Sequence, residues 1–306
     1  MQFVPEDQSA ALITFEIAFA AAREALIAAT DDGTTVFPAV LAHGSSPLNR
    51  FSIKSGSSAD LAGLKVGSYW PGNTEIGLPR HNSLILLIDQ HVGRVEWVIE
   101  AGRVNAYRTA AADAVAADAL ARTDASVLAI FGTGHQALYE CRAITRIRHI
   151  SEVLVIARDS AKGESFAASV AAHGMAARIV DGRTACEQAD IIVTATGARA
   201  PLFDAAWVQP GTHIASMGSD AVGKQELPPA LFDRAALFCD QPAQSVAIGD
   251  LQHFAGDRSR IVAIGDVLSG RCPGRRADDD ITVFDSSGIA LQDLYIARHL
   301  IAALDR

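Results

Sequence analysis

The sequence predicts an α/β fold in which a doubly wound parallel sheet is joined to a second, β-rich α+β domain. Two patterns support this prediction. Short β-rich segments separated by Gly, Pro, Asn and Ser fill residues 36–100. From residue 127 to residue 217, apolar strand-like runs alternate with helical segments, which is typical of a parallel sheet covered by helices. A chain of 306 residues is long enough to form both domains.

The N-terminal region is predicted to contain one amphipathic helix, over residues 14–29, followed by five strands. The strands cover residues 36–42, 51–55, 64–70, 84–89 and 95–100, and a hairpin at residues 91–94 joins the last two. An alanine-rich helix over residues 108–122, with Thr109 as its N-cap, leads into the alternating region.

The alternating region is predicted to contain strands and helices in turn. Strands are expected at residues 127–131, 153–157, 177–180, 191–195 and 213–217, and helices at residues 136–147 and 162–172. Two further strands, at residues 236–239 and 281–285, precede a closing helix over residues 291–304.

The bulk composition indicates what kind of partner the protein has. A net charge of −9 argues against nucleic acid and anionic membranes, both of which attract basic surfaces. The N-terminus carries Glu6 and Asp7 where an export signal needs positive charge, and charged residues interrupt the apolar stretch at residues 12–29. The cysteines form no CxxC pair, which favours reduced thiols over a metal site. We therefore expect a cytoplasmic protein with a small-molecule partner and no metal.

A glycine turn directly after the apolar run at residues 127–131 is the strongest local motif. It reads Gly132-Thr133-Gly134-His135-Gln136-Ala137. Gly132 permits the tight turn, Gly134 lets a pyrophosphate approach the backbone, and Ala137 allows close packing of helix and strand. Backbone N–H groups at the helix start then bind the phosphates. The motif predicts dinucleotide binding, although glycines also occur in ordinary strand-to-helix turns.

The residues after the second strand of this region bear on the choice of dinucleotide. Proteins that bind NAD place an acid there for the ribose 2′-hydroxyl, whereas this chain has Arg158, which favours NADP. NAD remains an alternative, because Asp159 can turn toward the ribose. Separately, Ser160 can add a contact to a phosphate. At the end of a later strand, Thr194, Ala195 and Thr196 are predicted to border the nicotinamide ring, and Met217 and Gly218, at the end of the next one, are predicted to bind the cofactor. The alternative is that these are plain strand ends.

Several motifs appear in an order that resembles the ornithine cyclodeaminase/mu-crystallin family. They are Gly63-Leu64-Lys65, Arg108-Thr109-Ala110-Ala111, the glycine turn, Gly218-Ser219-Asp220, Gly223-Lys224-Gln225-Glu226-Leu227, and Phe284-Asp285-Ser286-Ser287-Gly288 before Gln292-Asp293. The resemblance extends from about residue 36 to the C-terminus. It implies a Rossmann-type dinucleotide-binding domain, here residues 113–285. It also implies a β-rich domain for substrate binding and homodimer formation, here residues 1–112 plus 286–306.

The resemblance further implies hydride transfer at the α-carbon of an amino or imino acid. The leading hypothesis is conversion of ornithine to proline and ammonia, with the bound NAD(P) regenerated in place. The alternatives are an NAD(P)H-dependent reductase of ketimines such as Δ1-pyrroline-2-carboxylate and an enzyme similar to alanine dehydrogenase. An alternative of another class is a mu-crystallin-type protein that binds a small ligand without turnover.

Three side chains form the candidate catalytic set. Arg108 stands beside a predicted helix start, where a cation needs a nearby anion, and the matching family arginine binds the substrate carboxylate. Lys65 lies in an apolar strand, where the pKa of a lysine falls, and the matching family lysine lies near the reacting carbon. Asp220 follows the strand at residues 213–217 and matches the family's proposed base. The structural alternatives are a snorkelling arginine, an edge-strand lysine and an aspartate that caps a turn.

The substrate region departs from the family pattern at two places. Ala39 stands where many members have an arginine that binds the carboxylate, and Lys54-Ser55-Gly56 stands where a Met-Pro pair is usual. Both departures weaken the case for ornithine more than the case for hydride chemistry. Lys54 is a candidate to restore the missing cation.

Overall fold

The structure, a computed structural model, describes residues 1–304 and divides into two compact units. The first unit contains Met1–Arg108 and the chain from Ile289 onward, and the second contains Thr109–Gly288. Residues 305 and 306, the end of the predicted segment 286–306, lie outside the described residues. The predicted fold class, a parallel α/β sheet with a second β-rich domain, is confirmed.

The first unit is built on a sheet of seven strands within the described residues. The strands are β1 (Gln2–Val4), β2 (Thr35–Val36), β3 (Val40–His43), β4 (Arg50–Ser57), β5 (Ala62–Tyr69), β6 (His81–Ile88) and β7 (Val95–Glu100). They lie in the order β1-β7-β6-β5-β4-β2, with β3 also paired to β4. Strands β4 to β7 pair antiparallel, so residues two apart share a face.

Helices pack against this sheet at positions where it carries glycine. The unit contains α1 (Glu6–Leu12), α2 (Phe15–Ala28), the first part of α3 (Gly102–Leu120) and the last helix, α10 (Ala290–Leu304). A Cβ atom at Gly63 would lie 2.9 Å from the side chain of Leu294, and one at Gly56 would lie 3.5 Å from Leu291. Because Gly63 lacks that atom, α10 packs close to β5, whereas a Cβ atom at Gly56 would make only an ordinary van der Waals contact with α10.

The second unit is built on a parallel sheet, which has eight strands within the described residues. Its strands are β8 (Val127–Phe131), β9 (Glu152–Ile156), β10 (Ala177–Ile179), β11 (Ile191–Thr194), β12 (His213–Ser216), β13 (Ala235–Cys239), β14 (Ile261–Ala263) and β15 (Ile281–Asp285). Its other helices are α4 (His135–Ile147), α5 (Ser160–Ala172), α6 (Gly182–Gln188), α7 (Pro229–Arg234), α8 (Pro242–Ile248) and α9 (Ile264–Leu268). Short 3-10 turns cover Pro71–Ile76 in the first unit and Ala205–Trp207, Asp250–His253 and Arg258–Arg260 in the second.

The strand order of the second unit locates its ligand-binding edge. The order is β10-β9-β8-β11-β12-β15-β13-β14, so the chain runs outward from β8 in one direction and then returns to β11 on the other side. Ligands of doubly wound sheets bind at this reversal, at the carboxyl ends of the strands. The glycine turn follows β8 directly and therefore stands at the reversal.

The predicted start of the alanine-rich helix was wrong. Helix α3 begins at Gly102, so Thr109 lies inside the helix and is not its N-cap. The cap comes from far away in the sequence, since the Glu6 carboxylate accepts hydrogen bonds from the backbone N–H groups of Gly102 at 2.7 Å and Arg103 at 2.8 Å. No local Ser, Thr or Asp signal marks such a start.

Other elements also differ from the predicted ones. The predicted strand at residues 36–42 is two strands, β2 and β3, because Pro38 has no N–H group to donate and the pairing is interrupted there. Strands β1 and β14 and several short helices were not predicted. No helix within residues 1–304 has the combined length and apolar character that crossing a bilayer needs.

Two buried carboxyl groups meet between helices α3 and α4. Asp113 on α3 and Glu140 on α4 are both inaccessible to solvent. Burial raises the pKa of Asp113 to about 7, and the neighbouring carboxyl group of Glu140 opposes that rise only in part. The side-chain amide of Gln136, from the glycine turn, donates to Glu140 at 2.7 Å. The pair therefore holds a proton in the folded protein at pH values where Asp113 in the unfolded chain has lost it.

This pair predicts a pH-dependent stability. Between the unfolded pKa of 3.8 and the folded pKa of about 7, rising pH destabilises the fold, because only the unfolded state releases the Asp113 proton. Asp113→Asn removes this titration, so its free energy of unfolding should exceed that of the wild type by about 1–3 kcal/mol at pH 8. The gain should vanish near pH 4. Urea titrations at several pH values measure both quantities.

The exposed carboxyl of Glu164 on α5 provides the matched control. Relative to the wild type, the free energy of unfolding of Glu164→Gln should not increase between pH 4 and pH 8. A variant Asp113→Asn that is less stable than the wild type at pH 8 would contradict this assignment.

Candidate active site

A buried cluster in the first unit brings together two of the predicted site residues. Lys65 on β5 and Arg108 on α3 both contact the carboxylate of Asp293 on α10. The Lys65 Nζ atom lies 3.3 Å from Asp293 Oδ1, and the Arg108 Nε atom lies 3.2 Å from the same oxygen. All three side chains are at most 10% exposed. One carboxylate thus holds two cations that come from different elements.

Two amides complete the positioning of these cations. Asn105 Oδ1 accepts hydrogen bonds from Lys65 Nζ at 2.5 Å and from Arg108 Nη2 at 2.9 Å. Gln292 Oε1 accepts from Arg108 Nη1 at 3.1 Å. Asn105 lies one turn before Arg108 on α3, so a single helix face presents both residues. Asn105 and Asp293 thus each contact both Lys65 and Arg108, so the positions of the two cations depend on each other.

Sequence reasoning gave no role to Asn105, Gln292 or Asp293. The available signal was the adjacent polar pair Gln292-Asp293 within the apolar first half of the closing helix, where most of the nine buried residues of α10 lie. A carboxylate in such a helix needs a cationic partner. The sequence alone does not show which cation the fold brings to it.

Burial and neighbouring charge lower the pKa of Lys65 to about 7. Desolvation is the largest cause, followed by the positive charge of Arg108, and the charge of Lys54 also contributes. The carboxylate of Asp293 acts in the opposite direction by favouring the ammonium form. Both forms of the lysine are therefore populated at neutral pH, as general acid/base chemistry requires.

Polar atoms beside this cluster remain without a hydrogen-bond partner. Within the described residues, Asp293 Oδ2, Gln292 Nε2 and Ser83 Oγ are buried and unpaired. An unpaired buried polar atom costs about 1–3 kcal/mol unless something binds to it. The set contains an acceptor, a donor and a hydroxyl group, which suits a ligand that carries both a carboxylate and a nitrogen.

The glycine turn of the second unit has the shape that a dinucleotide phosphate needs. Gly132 has a φ angle of 123°, and a Cβ atom there would lie 2.6 Å from the carbonyl oxygen of Ala195, so no other residue fits. Gly134 is the N-cap of α4, supplies no side-chain cap and has no atom within 4 Å of its Cβ position. The N–H groups at the start of α4 are thus accessible to an anion. The glycine turn therefore fits the pyrophosphate of a dinucleotide.

The remaining residues of the turn are placed as follows. Ala137 is fully buried, as close packing of helix and strand requires. Gln136 points to Glu140, whereas Thr133 and His135 line a groove of about 260 Å³ next to α5. Burial lowers the pKa of His135, which favours the neutral form of its imidazole.

The residues predicted to select the dinucleotide lie at the start of α5. Arg158 and Ser160 are exposed. Asp159 is the N-cap of α5, and its carboxylate accepts a hydrogen bond from the backbone N–H of Lys162 at 2.9 Å. One oxygen of Asp159 is thus engaged by the protein itself.

A buried acid that was not predicted joins the ends of β11 and β12. Glu226 accepts hydrogen bonds from the hydroxyl groups of Thr194 at 2.9 Å and Thr196 at 2.7 Å, and from the backbone N–H of Gly218 at 2.8 Å. Burial raises the pKa of Glu226 to about 7. The hydroxyl group of Thr194 is fully buried in this contact. Glu226 therefore fixes both strand ends that were predicted to bind the cofactor. These two ends also carry Ala195 and Met217.

Asp220 has a different setting from Lys65 and Arg108. It lies in the second unit, in the loop after β12, and its side chain is 56% exposed. Its carboxylate forms an ion pair with Lys224 Nζ at 2.5 Å, and the same ammonium donates to the carbonyl oxygen of Gly218 at 2.9 Å. Asp220 is thus a solvated carboxylate whose position depends on Lys224.

Known proteins resemble this chain over nearly its whole length. The iminosuccinate reductase of Paracoccus denitrificans is 35% identical over 307 residues, which cover 98% of this chain and 96% of the reductase. The crystal structure of that reductase with NAD+ has a TM-score of 0.93 and covers 100% of this chain and 96% of its own. An archaeal alanine dehydrogenase dimer with bound NAD has a TM-score of 0.91 at 29% identity, covering 98% of this chain and 95% of its own.

A third solved structure is the Δ1-pyrroline-2-carboxylate reductase of Thermococcus litoralis with NADH and L-proline. It has a TM-score of 0.91 at 26% identity and covers 99% of this chain and 97% of its own. A sequence model described as the ornithine cyclodeaminase/mu-crystallin family matches residues 39–304. The resemblance inferred from the motifs is confirmed, and this chain belongs to the ornithine cyclodeaminase/mu-crystallin family.

Proposed function

We propose that this protein is a nicotinamide-dinucleotide-dependent reductase that converts an α-imino acid to the amino acid, and oxidises the amino acid in the reverse direction. The buried cluster of Lys65, Arg108 and Asp293 is the observation that carries this proposal. It combines a carboxylate-binding cation with a lysine whose pKa is about 7. The full-length similarity to an iminosuccinate reductase supports imine chemistry.

Arg108 is the proposed anchor of the substrate carboxylate. Each of its Nη atoms has two hydrogens, and the contacts with Asn105 and Gln292 each use one of them. The remaining hydrogens can grip a carboxylate in bidentate fashion. The unpaired Nε2 atom of Gln292 adds a further donor beside this guanidinium.

Lys65 is the proposed proton carrier at the substrate nitrogen. When bound, the nicotinamide supplies the hydride for the α-carbon. Reduction of a neutral imine also needs one proton at nitrogen, and the ammonium form of Lys65 donates it. In the oxidative direction the neutral amine of Lys65 accepts that proton. We assign Asp220 as an acid or base on the solvent side, where it exchanges protons with water.

The proposed dinucleotide is NADPH, with NADH as the alternative. Arg158 and Ser160 stand at the start of α5, where a 2′-phosphate meets a cation and a hydroxyl group, and one oxygen of Asp159 caps that helix. NADH is favoured by the solved relatives that contain NAD+, NAD or NADH. The positive charge of Arg158 is the feature of this chain that favours NADPH over NADH.

We also propose a homodimer and a cytoplasmic location. The first unit exposes apolar side chains around the edge strand β3, with Phe37 47%, Val40 53% and Leu41 45% exposed, and such a patch suits an interface. The archaeal alanine dehydrogenase is a dimer. The cysteines of this chain are all free thiols, which suits a reducing compartment.

The second candidate function is cyclodeamination of a diamino acid, which the family name favours. The two reactions differ in their cofactor balance. A reductase consumes one reduced dinucleotide for each imine, whereas a cyclodeaminase restores its cofactor in every cycle.

A substrate screen tests the proposed function. Purified protein with oxo acids plus ammonium, or with cyclic imino acids, should oxidise NADPH or NADH in a one-to-one ratio with the amino acid formed. Arg108→Lys should lower kcat/KM by about 10–100-fold, because the bidentate contact is lost. Formation of proline and ammonia from ornithine without net oxidation of the cofactor would favour the cyclodeaminase instead. The absence of any turnover would favour a binding protein.

Exchange of Arg158 tests the dinucleotide preference. Arg158→Gln should lower the ratio of kcat/KM for NADPH to that for NADH by about 10–100-fold, since one charge-assisted contact to phosphate is lost. Arg146, an exposed residue on α4, provides the control, and Arg146→Gln should leave the ratio unchanged. A ratio that Arg158→Gln does not alter would exclude a contact between this guanidinium and a 2′-phosphate.

The pKa of Lys65 is directly measurable. The chain has four lysines, so reductive ¹³C-methylation gives a simple NMR spectrum in which the signal absent from Lys65→Gln identifies Lys65. That signal should titrate near pH 7, and Asp293→Asn should move the titration to lower pH because the favourable carboxylate is lost. Titration of Lys65 near the ordinary lysine value of 10.5 would contradict its role as a proton carrier.

A further inference from the structure

Glu226 is a buried acid whose hydrogen-bond donors are all uncharged. Its Oε1 atom accepts from the backbone N–H of Thr196 at 2.6 Å and from the hydroxyl group of the same residue at 2.7 Å. Its Oε2 atom accepts from the Thr194 hydroxyl group at 2.9 Å and from the backbone N–H of Gly218 at 2.8 Å. Within residues 1–304, this carboxyl group forms no ion pair with a lysine or arginine. A negative charge on Glu226 is therefore stabilised by dipoles alone.

A second buried carboxyl group, that of Asp250, lies on the other side of Ser216. The Ser216 hydroxyl group donates to Asp250 Oδ2 at 2.5 Å and lies 3.3 Å from Glu226 Oε2. Asp250 Oδ1 accepts from the backbone N–H of Glu226 at 2.9 Å, and Asp285 Oδ1 accepts from the backbone N–H of Asp250 at 3.0 Å. A hydroxyl group has a single hydrogen, so Ser216 can donate to only one neighbour at a time. Glu226 and Asp250 are thus close enough to repel each other when both are ionised.

These surroundings make the charge of Glu226 sensitive to a further charge nearby. Burial, the largest cause, and the negative charge of Asp250 together raise the pKa of Glu226 to about 7. Lys224 Nζ pairs with Asp220 at 2.5 Å. The His253 imidazole, whose charge acts on Asp250, contacts the carbonyl oxygen of Lys224 at 2.8 Å. Both forms of Glu226 are therefore populated at neutral pH.

The charge of a nicotinamide ring changes with its oxidation state, since the ring is a cation when oxidised and neutral when reduced. Glu226 joins the strand end that is predicted to border this ring, at Thr194 and Thr196, to the next strand end, at Gly218. A Cβ atom at Gly218 would lie 2.6 Å from Glu226 Oε1 and 2.3 Å from the carbonyl oxygen of Thr196, so no side chain of residue 218 shields the carboxyl group. In a poorly solvated interior, a carboxylate attracts a cation over several ångströms.

We propose that Glu226 couples the charge of the nicotinamide ring to a proton, so that its carboxylate form favours the oxidised dinucleotide and its protonated form favours the reduced one. Glu226 then releases its proton to water when the oxidised dinucleotide binds, and no covalent bond of the cofactor changes in that step. In imine reduction, loss of the same proton compensates for the positive charge that hydride transfer leaves on the ring. The inference rests on the proposed function, since it concerns the dinucleotide of that function.

Binding measurements without substrate test this inference. Calorimetric titrations between pH 5.5 and pH 8.5 give the Kd values of NADPH and NADP+, or of NADH and NAD+ if these bind more tightly. The ratio of the reduced to the oxidised Kd should rise about tenfold as the pH approaches 7 and then level off, because the oxidised ring lowers the pKa of Glu226. Glu226→Gln keeps an oxygen for Thr196 and stays neutral, so its ratio should lack this rise. Any other titrating group is shared by both proteins and cancels in the comparison.

Asp250→Asn provides a second variant in which Glu226 itself is retained. Asparagine keeps an oxygen for the backbone N–H of Glu226 and removes the neighbouring negative charge, so the rise in the ratio should move to lower pH. Glu187, an exposed residue on α6, supplies the matched control, and Glu187→Gln should leave the pH profile unchanged. A profile that moves to higher pH in Asp250→Asn, or that persists in Glu226→Gln, would overturn the inference.

ADP-ribose, which lacks the nicotinamide ring, separates this role from a general structural one. Its affinity should be the same in the wild type and in Glu226→Gln, and a loss of affinity in the variant would contradict the inference. If the ratio changes with pH as expected but no imino acid is reduced, the proposed reaction fails and the assignment of Glu226 stands. If imino acids are reduced but the wild-type ratio is constant, only the assignment of Glu226 fails. A protein that binds no dinucleotide refutes both.

Discussion

The carboxylate of Asp293 is the contact on which the proposed chemistry depends. It lies in the buried first half of α10 with almost no exposure to water, and it holds Lys65 and Arg108 through a single oxygen. A buried carboxylate is costly without cations, and buried cations are costly without an anion. Because the cluster contains more positive than negative charge, it is complete only with an anionic ligand. The second oxygen of Asp293 is unpaired and is oriented by the same two cations.

The sheet of the first unit makes this contact possible. The glycine at position 63 lets α10 approach β5, and this approach brings Gln292 and Asp293 over the face that carries Lys65. Helix α3 presents Asn105 and Arg108 to the same place. A bulkier residue at Gly63 would clash with β6 and with α10, since its Cβ atom would lie 2.2 Å from the carbonyl oxygen of Leu86 and 2.9 Å from the side chain of Leu294. The position of Lys65 against Asp293 is thus set by residues that have no functional side chain.

The architecture of both units was predictable because it depends on local patterns. Alternating apolar strands and helices predicted the parallel sheet, and the glycine turn marked its ligand-binding edge. What the sequence did not reveal is pairing between distant residues. Helix α3 is capped by Glu6, so its start was misplaced by several residues, and the helix-start argument for Arg108 was therefore wrong.

In the candidate site, too, the residues marked by local motifs were predictable, whereas the contacts between distant residues were not. The family resemblance selected Lys65 and Arg108, and the structure places both against one carboxylate. Asp293 and Glu226 lay inside recognised motifs, yet their roles became visible only once the fold showed which atoms they contact. The burial of Lys54 beside Lys65 follows from the register of β4 and β5, which a single sequence does not specify.

Proton uptake on anion binding tests the central claim most directly. The claim is that the Lys65, Arg108 and Asp293 cluster is a receptor for substrate carboxylate whose lysine is partly deprotonated at neutral pH. Binding of an anion raises the pKa of Lys65, so calorimetry at about pH 8 in buffers of different ionisation enthalpy should detect net proton uptake with an unreactive carboxylate. Lys65→Gln should abolish that uptake. A binding heat that is equal in all buffers would contradict the account.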